Sequence, residues 1–294
     1  MEKVIVVIGP TSVGKTKMGV ALAKKFNGEV ISGDSMQIYK QMDVGTAKVT
    51  EEEKEGIIHH CVDILNPDET YSVHDFQQTV RKKITEITQR GHVPIIVGGT
   101  GLYIKAALYD YQFDEMENDH HAINEKYKDY TNEQLHDHLK SIDEESAKIL
   151  HFNNRRRVLR AIEIYETTGK RKSEMLEEQE HICLYDAYFV GLTLPRDVLY
   201  ERINKRVDVM MENGLKEEME RLYSQGLTRN HQSMKAIGYK EWFDYYDHQI
   251  DLNDVLELIK KHSRQYAKRQ YTWFKNQFDV HNNQTILYNQ SLSY

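Results

Sequence analysis

Residues 9–16 read Gly-Pro-Thr-Ser-Val-Gly-Lys-Thr, a match to G-x-x-x-x-G-K-[ST], and they follow the unbroken apolar run Val4, Ile5, Val6, Val7 and Ile8. Such a run is the pattern of a parallel strand buried on both faces. Met18, Ala21, Leu22 and Phe26 then recur at helical spacing, so the order is strand, loop, helix. In that order the motif is expected to cradle a phosphate or pyrophosphate rather than form an ordinary turn. Gly9, Pro10, Thr11, Ser12, Val13 and Gly14 supply backbone that curls around an anion at the positive end of a new helix. Lys15 reaches the anionic oxygens, and the Thr16 hydroxyl is placed to ligate Mg²⁺. The fold expected is α/β, a P-loop NTPase-like parallel sheet flanked by helices.

Further along, Glu29-Val30-Ile31-Ser32 reads as a short strand running into Gly33-Asp34-Ser35-Met36-Gln37. An acid at the carboxyl end of a parallel strand points into the crevice where such sheets bind ligands. Capping of a following helix is the alternative for Asp34. Ser72 starts a helix over residues 72–90, with Phe76, Val80, Ile84 and Ile87 as its apolar stripe and Gly91 as its end. Residues 93–97 form another buried strand that empties into Gly98-Gly99-Thr100-Gly101-Leu102-Tyr103. Two glycine-rich turns at one sheet edge suit a shared anionic ligand, although the second also fits a plain strand-to-helix connection. This strand ends without the Asp of a Walker B element, which argues against an ordinary ATPase.

From Asp110 to about Glu145 charge is dense and mostly acidic, including Asp114, Glu115, Glu117 and Asp119, as expected of a helical insertion. We expect the core to comprise residues 1–112 and 186–294, and the insertion residues 113–185. Arg155, Arg156, Arg157 and Arg160, then Lys170, Arg171 and Lys172, are read onto one helix whose buried side is Val158, Leu159, Ile162 and Tyr165. A charge run usually means a solvated face. Four arginines in six residues exceed that need and favour phosphate contact with nucleic acid. After a strand at 187–192, Leu199, Ile203, Val207 and Met210 mark a helix. Arg202 and Arg206 on it resemble a phosphotransferase lid, with pairing to Glu201 or Asp208 as the alternative for Arg202. A long helix over 252–278 carries Lys260, Lys261, Arg264, Lys268, Arg269 and Lys275 with no acid between residues 259 and 278. Tyr266, Tyr271 and Trp273 interleave with these cations, a combination suited to RNA.

The 294 residues supply ample core, and no apolar run is long enough to span a bilayer. No signal-peptide pattern opens the chain, and Cys61 and Cys183 form no CxxC pair, so we expect a cytoplasmic protein without membrane contact. A net charge of -7 argues against nonspecific coating of nucleic acid, though not against a local basic patch.

Together these motifs resemble the tRNA dimethylallyltransferase (tRNA isopentenyltransferase) family over nearly the whole chain. The pieces are residues 9–16, Asp34-Ser35-Met36-Gln37-Ile38-Tyr39, Gly45-Thr46-Ala47-Lys48, residues 97–103, residues 157–163, Lys235-Ala236-Ile237-Gly238-Tyr239 and residues 267–274. The stretch from Asp114 to His151 is shorter and more diverged than usual in that family, and Phe152 replaces a frequent Pro. The resemblance implies transfer of the dimethylallyl group of dimethylallyl diphosphate to the exocyclic amine of an adenosine. That adenosine lies 3′ of the anticodon in tRNAs reading codons that begin with U. It implies Asp34 as general base, Thr100 on the oxygen between carbon and phosphorus, and Arg206 with Lys15 and Mg²⁺ on the leaving pyrophosphate. Asp34, Ser35, Met36, Gln37, Thr100, Arg156, Arg157, Arg160, Lys235, Lys268, Arg269 and Trp273 are then candidates for holding the tRNA anticodon stem-loop, with the enzyme acting as a monomer. Two alternatives stay open on the residues alone: a P-loop metabolite kinase, and a nucleotide-gated RNA-binding protein without transferase chemistry.

Overall fold

The computed structural model describes residues 1–111, 120–177, 182–277 and 285–289. The acidic positions Asp114, Glu115, Glu117 and Asp119 lie outside the described residues, as does the last residue expected of the long helix. The chain divides into two compact units, residues 1–109 with 183–294, and residues 110–182. The insertion thus begins and ends three residues earlier than its sequence boundaries of 113 and 185.

The first unit is built on β1 (Lys3–Ile8), β2 (Gly28–Ser32), β3 (His59–His60), β4 (Val93–Gly98), β5 (Asp186–Thr193) and β6 (Thr285–Asn289). Among the described residues they form one sheet in the order β3-β2-β4-β1-β5-β6, with every pairing parallel. β1 is therefore interior, between β4 and β5, and alternate residues feed the two faces. Val4, Val6 and Ile8 join one apolar cluster, and Val7 joins the other. All carboxyl ends share one edge, so the loops after β1, β2 and β4 gather there.

Helices α1 (Lys15–Phe26), α2 (Glu51–Lys54), α3 (Val73–Gln89) and α4 (Gly101–Leu108) connect the first strands. Helix α3 starts as expected, with a Ser72–Asp75 capping box, and buries Phe76, Val80, Ile84 and Ile87. Helix α1 forms where its spacing puts it, with Met18 and Leu22 against the core. It buries Gly19, Val20 and Ala23, whereas Phe26 is 45% exposed. The reason is close packing on β4: a Cβ on Gly19 would meet Val97 Cγ2 at 2.5 Å, so the small residue, not the large one, marks the inner face.

The second unit holds α5 (His120–Lys126), α6 (Asn132–Ile142), α7 (Glu144–Ile149), α8 (Arg155–Thr168) and α9 (Lys172–Glu177). Leu135, Leu139, Ala147, Val158, Leu159 and Ile162 form its core. The basic stretch is not one helix: α8 stops at Gly169, whose φ of 71° is left-handed, and Lys172 opens α9. A Gly just past a helix is the ordinary αL cap, and Thr168-Gly169 carried that signal.

The first unit closes with α10 (Arg196–Glu212), α11 (Leu215–Ser224), a 3-10 turn (Ser233–Lys235), α12 (Trp242–Tyr246) and α13 (Leu252–Gln277). Leu199, Ile203 and Val207 are the buried stripe of α10, as the spacing required. Among the described residues no helix is long and apolar enough to cross a membrane.

Candidate active site

The loop after β1 has the backbone its sequence demands. Gly9, Ser12 and Gly14 take φ of 150°, 63° and 99°, and Gly14 is the left-handed N-cap of α1. Lys15 Nζ donates to the Pro10 carbonyl at 2.7 Å. Burial first, then repulsion from Arg206, pulls the Lys15 ammonium from 10.5 to about 7, against an opposing pull from Asp34. A cation held with its charge disfavoured is a cation prepared for an anion.

The turns after β2 and β4 are drawn together by glycine. Gly33 N–H donates to the Val97 carbonyl at 2.8 Å, and a Cβ on Gly98 would lie 2.5 Å from the Gly33 carbonyl oxygen. This contact brings Asp34 and Thr100 to one place at the sheet edge. No helix follows Asp34; its Oδ1 accepts from the Met36 N–H at 2.8 Å within the turn, and Oδ2 makes no hydrogen bond among the described residues. Gln37 is held by its neighbours, with Oε1 accepting from Ser32 Oγ at 3.0 Å and Nε2 donating to the Thr46 and Ala47 carbonyls at 3.4 and 3.3 Å.

Thr100 is the N-cap of α4, yet its side chain makes no capping bond. Its Oγ1 is buried and makes no hydrogen bond of regular geometry. A threonine at this position normally uses that oxygen on its own helix; here it is turned away from the helix end. The Tyr266 phenol of α13 lies beside Thr100 and Gln270, and burial, reinforced by Asp34, raises its pKa so that it stays a proton donor.

Two cavities of about 340 and 690 Å³ adjoin these turns and share Thr11, Ser12, Asp34, Arg206 and Tyr266. The smaller reaches Met36, Lys235 and Arg269; the larger reaches Lys15, Thr16, Gln37, Arg202 and Gln270. Asp34 and Arg206 thus stand where the two cavities meet. Arg206 Nη2 donates to the Ala47 carbonyl at 3.4 Å, and burial lowers its pKa from the usual arginine value while Asp34 opposes that shift. Arg202 makes no ion pair among the described residues; Asp208, an expected partner, pairs with Lys260 at 2.9 Å instead.

Sequence reasoning missed Gln270. It is buried, its Oε1 accepts from the Thr11 N–H at 2.8 Å, and its Nε2 donates to the Gly99 carbonyl at 2.9 Å. One side chain of α13 therefore ties the phosphate loop to the Thr100 turn. The signal was a polar residue in line with Ala267 and Phe274 on the buried side of α13. On the same helix Lys268 and Arg269 are exposed, and Trp273 packs on the second turn, its Cε3 only 2.1 Å from where a Gly101 Cβ would stand.

In the second unit Arg156 and Arg157 are exposed. Arg160 pairs with buried Glu163 at 2.8 Å. Arg155 is a structural residue, donating to the Tyr127 and Tyr130 carbonyls at 2.6 Å each.

A sequence profile described as IPP transferase matches residues 37–277. The chain belongs to the IPP transferase family. It is 54% identical over 282 residues to a tRNA dimethylallyltransferase of Bacillus cereus (strain AH187), covering 95% of this chain and 89% of that one. The crystal structure of a tRNA isopentenylpyrophosphate transferase from Staphylococcus epidermidis matches at 48% identity and a TM-score of 0.71, over 98% of this chain and 93% of that one. A eukaryotic dimethylallyltransferase, captured acting on tRNA, matches at 34% identity with a TM-score of 0.85, over 98% of this chain and 74% of that one. The kinase alternative is not favoured by any of these IPP transferase relatives.

Proposed function

We propose that the protein transfers the dimethylallyl group of dimethylallyl diphosphate to the exocyclic N6 of the adenosine 3′ to the anticodon, in tRNAs reading codons that begin with U. The observation that carries this reading is the placement of Asp34 and Arg206 at the junction of the two cavities, with Lys15 and Thr16 on one side and Lys235 and Arg269 on the other. The diphosphate lies on the backbone of residues 12–16 with Lys15 and Arg206, and the adenosine enters through the smaller cavity, past Lys235 and Arg269.

In the reaction N6 attacks the allylic carbon, the bond from that carbon to the bridging oxygen breaks, and pyrophosphate departs. Asp34 orients the amine and takes its proton. Thr100, beside the Tyr266 phenol, hydrogen-bonds the bridging oxygen as charge develops on it. Lys15 and Arg206 stabilise the departing anion. Mg²⁺ suits the residues present: Thr16 is an exposed hard-oxygen donor in the larger cavity, and Mg²⁺ commonly takes one protein oxygen, phosphate oxygens and waters. When bound it neutralises charge on the diphosphate. The target base leaves its stack to reach Asp34, at low cost in an unpaired loop.

In the first unit the anticodon stem-loop is held by the 34–37 turn, Lys235, Lys268, Arg269 and Trp273; the helical unit, taken by itself, offers Arg156, Arg157 and Arg160 to the RNA. The enzyme works as a monomer in the cytoplasm. Incubation with undermodified tRNA, Mg²⁺ and labelled dimethylallyl diphosphate tests the reading; absence of label in the RNA overturns it.

A further inference from the structure

The loop over residues 43–47 touches both halves of the site, and something must hold it. Its Ala47 carbonyl receives Arg206 Nη2 at 3.4 Å and Gln37 Nε2 at 3.3 Å. Ala47 itself has φ of 48°, a left-handed conformation that a residue with a Cβ keeps only when its surroundings enforce it. The start of the loop is held by Glu218 of α11, which is 3% exposed. Its Oε2 accepts from the Asp43 and Val44 N–H groups at 2.8 Å each, and its Oε1 accepts from the Gly45 N–H at 3.0 Å and the Tyr239 hydroxyl at 2.6 Å. Four donors thus converge on one buried carboxylate, three of them consecutive backbone amides.

The packing leaves the loop little other freedom. A Cβ on Gly45 would lie 2.5 Å from Tyr239 Cζ, and one on Gly238 would lie 3.2 Å from the Gly45 carbonyl oxygen. At the far side of the loop Lys48 Nζ donates to the Tyr39 carbonyl at 2.7 Å and to Asp43 and Asp63 at 2.5 Å.

We propose that Glu218 is a positioning residue for prenyl transfer: by clamping the amides of residues 43–45 it aims the Ala47 carbonyl, and through it sets Arg206 and Gln37. The proposal rests on the leaving-group role given to Arg206 above. The carboxylate is required because all four partners donate. An amide in its place presents an NH₂ to donors, and whichever way it is turned at least one backbone N–H loses its acceptor.

The test compares steady-state prenylation by the full chain in Glu218→Gln, Glu218→Asp, Tyr239→Phe, Arg206→Ala and the double variant Glu218→Gln with Arg206→Ala. We expect Glu218→Gln and Glu218→Asp each to lower kcat about 10- to 100-fold, the scale of a misplaced catalytic group, with a higher KM for tRNA. Tyr239→Phe, which leaves the three amide contacts in place, keeps kcat within about two-fold. The double variant has a kcat no lower than that of Arg206→Ala alone, since Glu218 acts on the leaving group through Arg206, and the part it exerts through Gln37 shows only in the KM for tRNA. Should Glu218→Gln fail to fold, Glu218→Asp and the Tyr239→Phe comparison still decide the matter. Unchanged kinetics in Glu218→Asp, a Tyr239→Phe loss equal to that of the Glu218 variants, or multiplicative losses in the double variant would overturn the proposal. If instead Arg206→Ala retains full activity, it is the leaving-group role of Arg206 that falls.

Discussion

Gly33 and Gly98 meet backbone to backbone, so closely that a methyl group on Gly98 would stand 2.5 Å from the Gly33 carbonyl oxygen. Gly33 directly precedes Asp34 and Gly98 stands two residues before Thr100, so their approach draws the two turns together. Gly98→Ala is expected to push the two turns apart and reduce prenyl transfer about 100-fold. Single-turnover rates at saturating tRNA and prenyl diphosphate check this; a rate within a few-fold of wild type would show that the spacing is not set here.

Asp34 leaves Oδ2 without a hydrogen bond while Oδ1 orders its turn. Asp34→Asn preserves the turn acceptor and removes the base. Turnover is expected to drop about 10²- to 10⁴-fold, with dimethylallyl diphosphate affinity, read by calorimetry, nearly unchanged.

Lys15 carries a pH signature. Its folded pKa of about 7 lies below the ordinary 10.5, so between those values the unfolded chain holds the proton that the folded chain has lost. Stability of the ligand-free protein contributed by this group is least below about pH 7 and rises as pH climbs towards about 10.5. An anionic diphosphate reverses the shift, so its binding at pH 8 takes up protons. Titration calorimetry in Tris and in HEPES measures that uptake, and Lys15→Arg, whose charge does not titrate in this range, abolishes it.

Gln270→Leu cuts the tie between Thr11 and Gly99 while keeping the side-chain volume. The KM for prenyl diphosphate should rise about ten-fold as the phosphate loop loses its anchor, the equivalent of about 1.4 kcal/mol, while binding of tRNA alone, followed by filter retention, stays level.

The aromatic residues of α13 separate by burial. Tyr271 is 53% exposed, whereas Trp273 packs against the core and on Gly101. Tyr271→Ala should raise the KM for tRNA several-fold with an unchanged Tm, as loss of a stacking platform does. Trp273→Ala should lower Tm by several degrees, since it opens space beneath the second turn, and raise the KM for tRNA as well. Thermal melts alongside kinetics distinguish the two.

The strands, the phosphate loop and the two turns were legible because each is written locally: apolar runs end in glycine at the sheet edge, and the buried stripes of α3 and α10 fall where the spacing puts them. The deepest contact of α1 was not legible, because close approach to Val97 selects Gly19 there and an absent side chain leaves no mark in an apolar count. The break at Gly169 was carried by the sequence but masked by the run of positive charge across it. Gln270 and Glu218 were not legible as site residues, since each acts through backbone amides more than 170 positions away, and backbone amides are the same in every sequence.

The bond from Gln270 to Thr11 spans 259 residues, which has a consequence for how the protein comes into being on the ribosome. β1 emerges first but pairs with β4 and β5, and the loop behind it gains its anchor only when the end of α13 has been synthesised. Domains assemble as units during synthesis and long-range contacts close last. The oldest part of the nascent chain therefore waits on some of the youngest, and a chain cut short before residue 270 is expected to leave its first loop untethered and its sheet without β6.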